Sequence, residues 1–204
     1  DNGTAIGDFG KASPYEWSCR EPLAIMWPKS VPKGRTVDDF VAFRDFAPTF
    51  LDAAGIKVPA HMTGSSLLPI LKSGKSGRVE SQRDCIVHGL EWHGEFDPVS
   101  RSHRTYRNER YAYIVRYSNS LKPSDDMAPD AEITGEELYD LEKDPWQRTN
   151  LFANPEYASV LADLKAGLRA YALKTGDPRF TGKMKIFRKT RDLVQERRRG
   201  DYKR

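Results

Sequence analysis

Long apolar runs are missing from this 204-residue sequence. The continuous stretch Pro22 to Trp27 ("PLAIMW") falls far short of the ~20 residues that a membrane-spanning helix needs. The first residues also lack the charged-then-apolar layout of an export signal, which says nothing about export if the chain is a piece of a longer one. Cysteine is scarce: the two present, Cys19 and Cys85, sit in neither CxxC nor Cys/His spacing, which argues against a zinc ribbon and leaves their pairing open. An excess of one charge is missing too. Thirty-three Lys and Arg face 29 Asp and Glu, and a net charge of +4 does not point to nucleic acid. What is present, 38% hydrophobic residues in a chain of this length, suffices for one sizeable core or for two lobes.

Along the chain, Pro22 to Trp27 is closed by Pro28 and reads as a short strand buried on both faces. Phe40 to Phe43 offers a second strand. Asp45 then caps a helix that tolerates Pro48 in its first turn, stops at Gly55, and aligns Phe46, Phe50, Leu51 and Ala54 on one face. Strand, helix, strand is the signature of an α/β layer. The polar loop Ser73 to Arg83 separates it from four short aromatic and β-branched segments, Cys85 to Leu90, Arg104 to Arg107, Tyr111 to Tyr117 and Glu136 to Leu141. Asn108 to Arg110 makes a hairpin turn among them, so they predict a small antiparallel sheet. From Asn154, the apolar positions Tyr157, Val160, Leu161, Leu164, Leu168 and Tyr171 recur at helical spacing and end at Gly176, predicting one helix that covers a sheet face. The reading divides the chain into 1–75, an α/β layer; 76–180, an α+β subdomain; and 181–204, a basic tail whose interleaved acids suit a solvated helix.

The chain opens on Asp1-Asn2-Gly3. A carboxylate and an amide oxygen are hard donors that suit Ca²⁺ or Mg²⁺, although two ligands cannot hold calcium unaided, and an isolated triplet of this kind is first of all a turn. Lys11, alone on a glycine-bearing loop, would by itself be a solvated surface residue.

Taken together, Asp1-Asn2-Gly3, Gly7, Gly10, Lys11, Tyr15-Glu16, Arg20, Pro22 and Trp27-Pro28 form an ordered string that resembles the sulfatase family of the alkaline phosphatase superfamily. "DFAPTFLDAAGI" (Asp45 to Ile56), "TGSSLLPIL" (Thr63 to Leu71) and "EELYDLEKDPWQRTNL" (Glu136 to Leu151) extend the resemblance over about residues 1 to 178. The spacing of Lys11 and the "HGLEWH" segment look most like the branch with heparan N-sulfatase. The resemblance implies the C-terminal part of an alkaline-phosphatase-like α/β fold, with a small antiparallel sheet and a packed C-terminal helix. It makes Asp1 and Asn2 two ligands of Ca²⁺ and Lys11 a binder of a sulfate oxygen, a role that suits the negative charge building there as the S–O bond breaks. It also implies hydrolysis of a sulfate ester or sulfamate on a sulfated carbohydrate, in a periplasmic, secreted or lysosomal parent enzyme.

The family attacks sulfur with a formylglycine made from Cys or Ser in a C/S-x-P-x-R motif. Neither Cys19 in "SCREP" nor Cys85 in "DCIVH" matches that motif. The nucleophile and its partners are therefore expected upstream of Asp1, and this chain alone is expected to be inactive. Glu91 and His93 are candidate substrate contacts. His88 and His93 also read as ordinary hydrogen-bonded histidines, and His61 and His103 have no special context. The alternating Tyr106, Tyr111, Tyr113 and Tyr117 read as packing rather than as a sugar platform. Two alternatives stay open: a phosphodiesterase or phosphonate hydrolase of the same superfamily, against which Asn2 argues because two-metal sites favour histidine there, and a glycan-binding module without catalysis.

Overall fold

The structure, a computed structural model, describes residues 10–90, 102–117 and 133–181. Its centre is a four-stranded antiparallel meander, β1 (Cys85–Leu90), β2 (His103–Asn108), β3 (Tyr111–Tyr117) and β4 (Ile133–Asp140), in that spatial order. Asn108 closes the β2–β3 hairpin by accepting the backbone N–H groups of Arg110 and Tyr111 on its Oδ1, a side-chain turn that leaves the strands in register with Tyr106 opposite Tyr113. No described helix is long and apolar enough to cross a membrane.

Because strand side chains alternate, the sheet has two different faces. One carries Tyr113, Val115, Tyr117 and Leu138, and onto it packs α4 (Ala158–Thr175) through Leu164 and Leu168. Burying each such side chain contributes on the order of 1.5–3 kcal/mol. The 18-residue helix ends where its spacing predicted, with Gly176 in the left-handed region at φ 70°. Close approach requires a second glycine: a Cβ on Gly167 would stand 2.8 Å from the Tyr106 ring, so the helix lies flat on β2 only because that atom is missing. The other face carries Ile114 and Tyr139, and against it lies the segment from Gly10 to α1 (Glu16–Cys19), with Tyr15 at the centre of the contact.

The region before the sheet departs from expectation. Pro22 to Trp27 forms no strand, and Leu23, Ile25 and Met26 are 50%, 41% and 87% exposed. An apolar run becomes a strand only beside a ladder partner, and among the described residues none lies next to it. Phe40 to Phe43 is not a strand either. It turns instead into a 3₁₀ helix, Phe43–Asp45, because the Asp45 carboxylate accepts the Ala42 N–H. Asp45 therefore does not cap α2 (Phe46–Ala53) with its side chain. It is buried and also accepts from Ser65 N and from Arg83 Nη1 at 2.9 Å, binding the loop before α3 (Leu68–Lys72) to the start of the sheet. The face expected of α2 is only partly covered: Phe46 and Leu51 are half-buried, Phe50 is 71% exposed and Ala54 is exposed, while Pro48 and Thr49 are buried.

Candidate functional site

Lys11 occupies the first central position of a tight turn closed by the Ser13 N–H donating to Gly10 O at 3.1 Å. The second central residue, Ala12, has φ 68°, the left-handed conformation that such a turn requires and that glycine adopts without strain. Alanine there costs roughly 1–2 kcal/mol, and strain of this kind persists only where the surroundings enforce it. They do so here: Ala12, Ser13 and Tyr15 are all buried, and half-buried Lys11 rides on this fixed base.

The enforcement comes from a polar cluster on the sheet. The Tyr15 hydroxyl donates to Glu137 Oε2 at 2.9 Å and accepts from Arg116 Nη2 at 2.9 Å. Arg116 Nε donates to the other oxygen of Glu137, and the Tyr139 hydroxyl donates to Glu137 Oε2 at 2.7 Å. Burial, followed by the charge of Glu137, holds the Tyr15 phenol above its ordinary pKa; burial and the same carboxylate do so for Tyr139. Both therefore remain proton donors to Glu137 at any physiological pH. One residue on, Glu16 pairs with Arg107 at 3.2 Å, and its backbone N–H donates to Gln147 Oε1 at 2.8 Å. Gln147 is buried, at φ 53°, in the turn after β4, where neighbouring Trp146 stacks on Trp17 with ring centroids 5.0 Å apart. The segment "EKDPWQ" is thus a clamp on α1. That role is invisible in the sequence, where Glu16 and Gln147 stand 131 positions apart.

The thiol of Cys19 lies 3.5 Å from His88 Nδ1, which invites comparison with a Cys–His nucleophile. The electrostatics exclude it. Burial, then the acids Glu16 and Glu21, push the thiol up to about 12, while burial and neighbouring His103 push the imidazole down to about 3. A nucleophilic cysteine needs the opposite shifts, thiolate beside imidazolium, so this pair is neutral packing. Both cysteines are free thiols.

Of the residues singled out from the sequence, Lys11 is placed as described, whereas Asp1, Asn2, Glu91 and His93 lie outside the described residues, as does the tail from 182. Among the described residues no cluster of three or more His, Cys, Asp or Glu side chains could hold a metal. Sequence reasoning missed Glu137, Arg116 and Gln147. Strand alternation would have set Glu137 and Tyr139 on one face of β4, but nothing local pairs them with Tyr15.

Residues 5–174 match the family described as N-sulphoglucosamine sulphohydrolase, C-terminal. The chain belongs to this sulfatase family. It is 37% identical over 133 residues to a Δ4,5-hexuronate-2-O-sulfatase of Bacteroides thetaiotaomicron, covering 65% of this chain and 24% of that one. An N-acetylglucosamine-6-O-sulfatase of the same bacterium is 32% identical over 167 residues, covering 80% and 27%. A protein solved in complex with its substrate D-glucosamine-2-N,6-O-disulfate superposes with a TM-score of 0.64 at 30% identity, over 81% of this chain and 31% of that one. The chain thus spans about a quarter to a third of the length of these relatives, and its helices and four-stranded antiparallel sheet are those of the alkaline-phosphatase-like sulfatase fold.

Proposed function

We propose that the chain is the C-terminal part of a calcium-assisted sulfatase, of the heparan N-sulfatase-like branch, that hydrolyses a sulfate ester or sulfamate on a sulfated glycan. The observation that carries this reading is the presentation of Lys11: an ammonium on a turn strained at Ala12 and fastened through Tyr15 to the Glu137–Arg116 pair. A cation mounted on a backbone turn fixed before the reaction can stabilise charge that develops on a sulfate oxygen with little reorganisation of the chain at that moment. The glucosamine disulfate bound by the solved relative supports a sulfated amino sugar as substrate. Asp1 and Asn2, a carboxylate with an amide oxygen, are the donor types that a hard cation takes, and they would share Ca²⁺ with ligands from outside this chain. When bound, the ion would supply further positive charge to the sulfate. The residues of this chain orient the sulfate group and neutralise it, while the nucleophile, expected as a formylglycine, lies outside these 204 residues.

The test measures turnover of an aryl sulfate and of N-sulfated glucosamine, with calcium present, by the chain alone and by the chain joined to an upstream sulfatase region carrying the C/S-x-P-x-R motif. The chain alone should be inactive and the joined enzyme active. Lys11→Ala should lower kcat/KM of the joined enzyme about a hundredfold, as removal of one preorganised charge stabiliser does. Undiminished activity of that variant would take Lys11 out of the site.

A further inference from the structure

On the face of the sheet opposite Tyr15, between the outer edge of β1 and the C-terminal end of α4, lies an open groove of about 580 Å³. Val87, Gly89, Arg44, Tyr171 and Thr175 contribute to its wall. His88 also borders the groove but turns its imidazole to the other face, toward Cys19.

The charges around the groove do not cancel. Asp177 lines it, yet both of its carboxylate oxygens are taken by Arg104, through Nε and through Nη2 at 2.9 Å. Asp45, adjacent in sequence to Arg44, is committed to Arg83 and to two backbone N–H groups. Arg44 itself pairs with no carboxylate among the described residues, and its Nε is buried without a hydrogen-bond partner. Its guanidinium lies over the Tyr171 ring, 5.1 Å from the centroid, and near enough to the buried Tyr171 hydroxyl that its charge and hydrogen bonding offset part of the rise that burial gives the phenol's pKa. Tyr171 is a neighbour and not a counter-ion, so among the described residues the charge of Arg44 stays uncompensated, and an oxyanion in the groove would neutralise it. The aromatic ring fixes its position without neutralising it. The volume suits one or two sugar rings.

We propose that this groove is a second glycan-binding site, in which Arg44 takes an oxyanion carried on a saccharide, either a uronate carboxylate or a sugar sulfate. A planar guanidinium offers the paired N–H donors of its two terminal nitrogens to either group, and the Tyr171 ring flanks it. The proposal rests on reading the chain as part of an enzyme that acts on a glycan. Because Tyr15 and Arg44 lie against opposite faces of the sheet, the groove would hold a neighbouring stretch of polymer while Lys11 serves the scissile group. Binding at both points raises the effective concentration of the second.

The experiment titrates the full 204-residue chain calorimetrically, at low ionic strength, with two tetrasaccharides: one from hyaluronan, bearing carboxylates only, and one from κ-carrageenan, bearing sulfates only. Wild type should bind at least one of them, and the arm that binds identifies the group recognised. Arg44→Gln should weaken that binding about tenfold, the loss of one charge-assisted bidentate contact. Arg44→Lys, which keeps the charge without the fork, should fall between the two. If Arg44→Gln does not fold, as judged by circular dichroism, the lysine variant carries the test. Arg148→Gln, which removes the same charge from an exposed residue outside the groove, should bind as wild type does. No binding of either tetrasaccharide, or equal binding by folded Arg44 variants, overturns the proposal. Its failure is separable from that of the sulfatase reading, which is decided by aryl sulfate turnover of the joined enzyme, a substrate too small to span both faces.

Discussion

Replacing Glu137 with glutamine tests whether the sheet holds the Lys11 turn in place. The substitution preserves size and one acceptor oxygen but removes the charge that Arg116, Tyr15 and Tyr139 share. Hydrogen bonds to a charged group contribute about 1.5–3 kcal/mol each, and stripping one partner from a buried ion pair costs about 3–5 kcal/mol. The full figure does not apply here, because the Arg116 side chain keeps 27% of its solvent exposure against 12% for Glu137, so water partly replaces the lost carboxylate. A loss of about 2–3 kcal/mol follows, or a fall in Tm of roughly 5–10 °C for a chain of this size. Thermal unfolding measures the loss, and hydrogen exchange locates it. Amides from Lys11 to Cys19 should lose protection well before those of β3, since Tyr15 is their anchor and β3 is held by both neighbouring strands. A variant with less than about 0.5 kcal/mol of destabilisation and unchanged exchange in that segment would refute the positioning role, since a change that small is ordinary for a surface site.

Two further outcomes follow from packing and protonation. The buried His88 imidazole resists protonation until about pH 3, whereas the unfolded chain takes that proton near 6.5, so stability is full above 6.5 and falls as pH drops below it. The slope is about 1.4 kcal/mol per pH unit, or about 2 kcal/mol between pH 7 and 5. Hydrogen bonds from Arg110 hold the Asp140 carboxyl below its ordinary range; at Asp177 burial pushes upward, but Arg104 outweighs it. Both lose their contribution only in more acidic solution, below about pH 4. Urea titrations of His88→Gln should therefore show a flatter pH dependence from 7 to 5, and parallel curves would show that the imidazole takes up its proton at the same pH in the fold as in the unfolded chain. Gly167→Ala gains about 1 kcal/mol of helix propensity but sets a Cβ against the Tyr106 ring, at a cost of about 1–3 kcal/mol. It should destabilise the wild type by about 1 kcal/mol and stabilise a Tyr106→Leu background, as measured by denaturant midpoints; a stabilised single variant would mean that the helix does not lie as close as described.

The elements legible in the sequence were those whose cause is local. The hairpin at Asn108, the aromatic alternation of β3 and the periodic helix ending at Gly176 formed where their own residues specified, because turn chemistry and burial pattern agreed over short spans. The ordered string around Lys11 was enough to indicate the sulfatase family, which the match over residues 5–174 establishes. Which surfaces meet was not legible. Pro22 to Trp27 has the composition of a buried strand but no neighbour to pair with among the described residues, and on α2 Phe50 stays outward while Pro48 and Thr49 turn in. Composition fixes only the cost of exposure; whether a segment is buried depends on a partner elsewhere. For the same reason the anchor of the Lys11 turn appeared only in three dimensions. Tyr15, Arg116 and Glu137 are separated by up to 122 positions, and it is the antiparallel register placing Ile114 opposite Glu137 that brings them onto one face. Arg44 belongs with them: in sequence it is one arginine among many, and its lack of a carboxylate partner among the described residues is a property of the groove formed when the edge of β1 meets the end of α4.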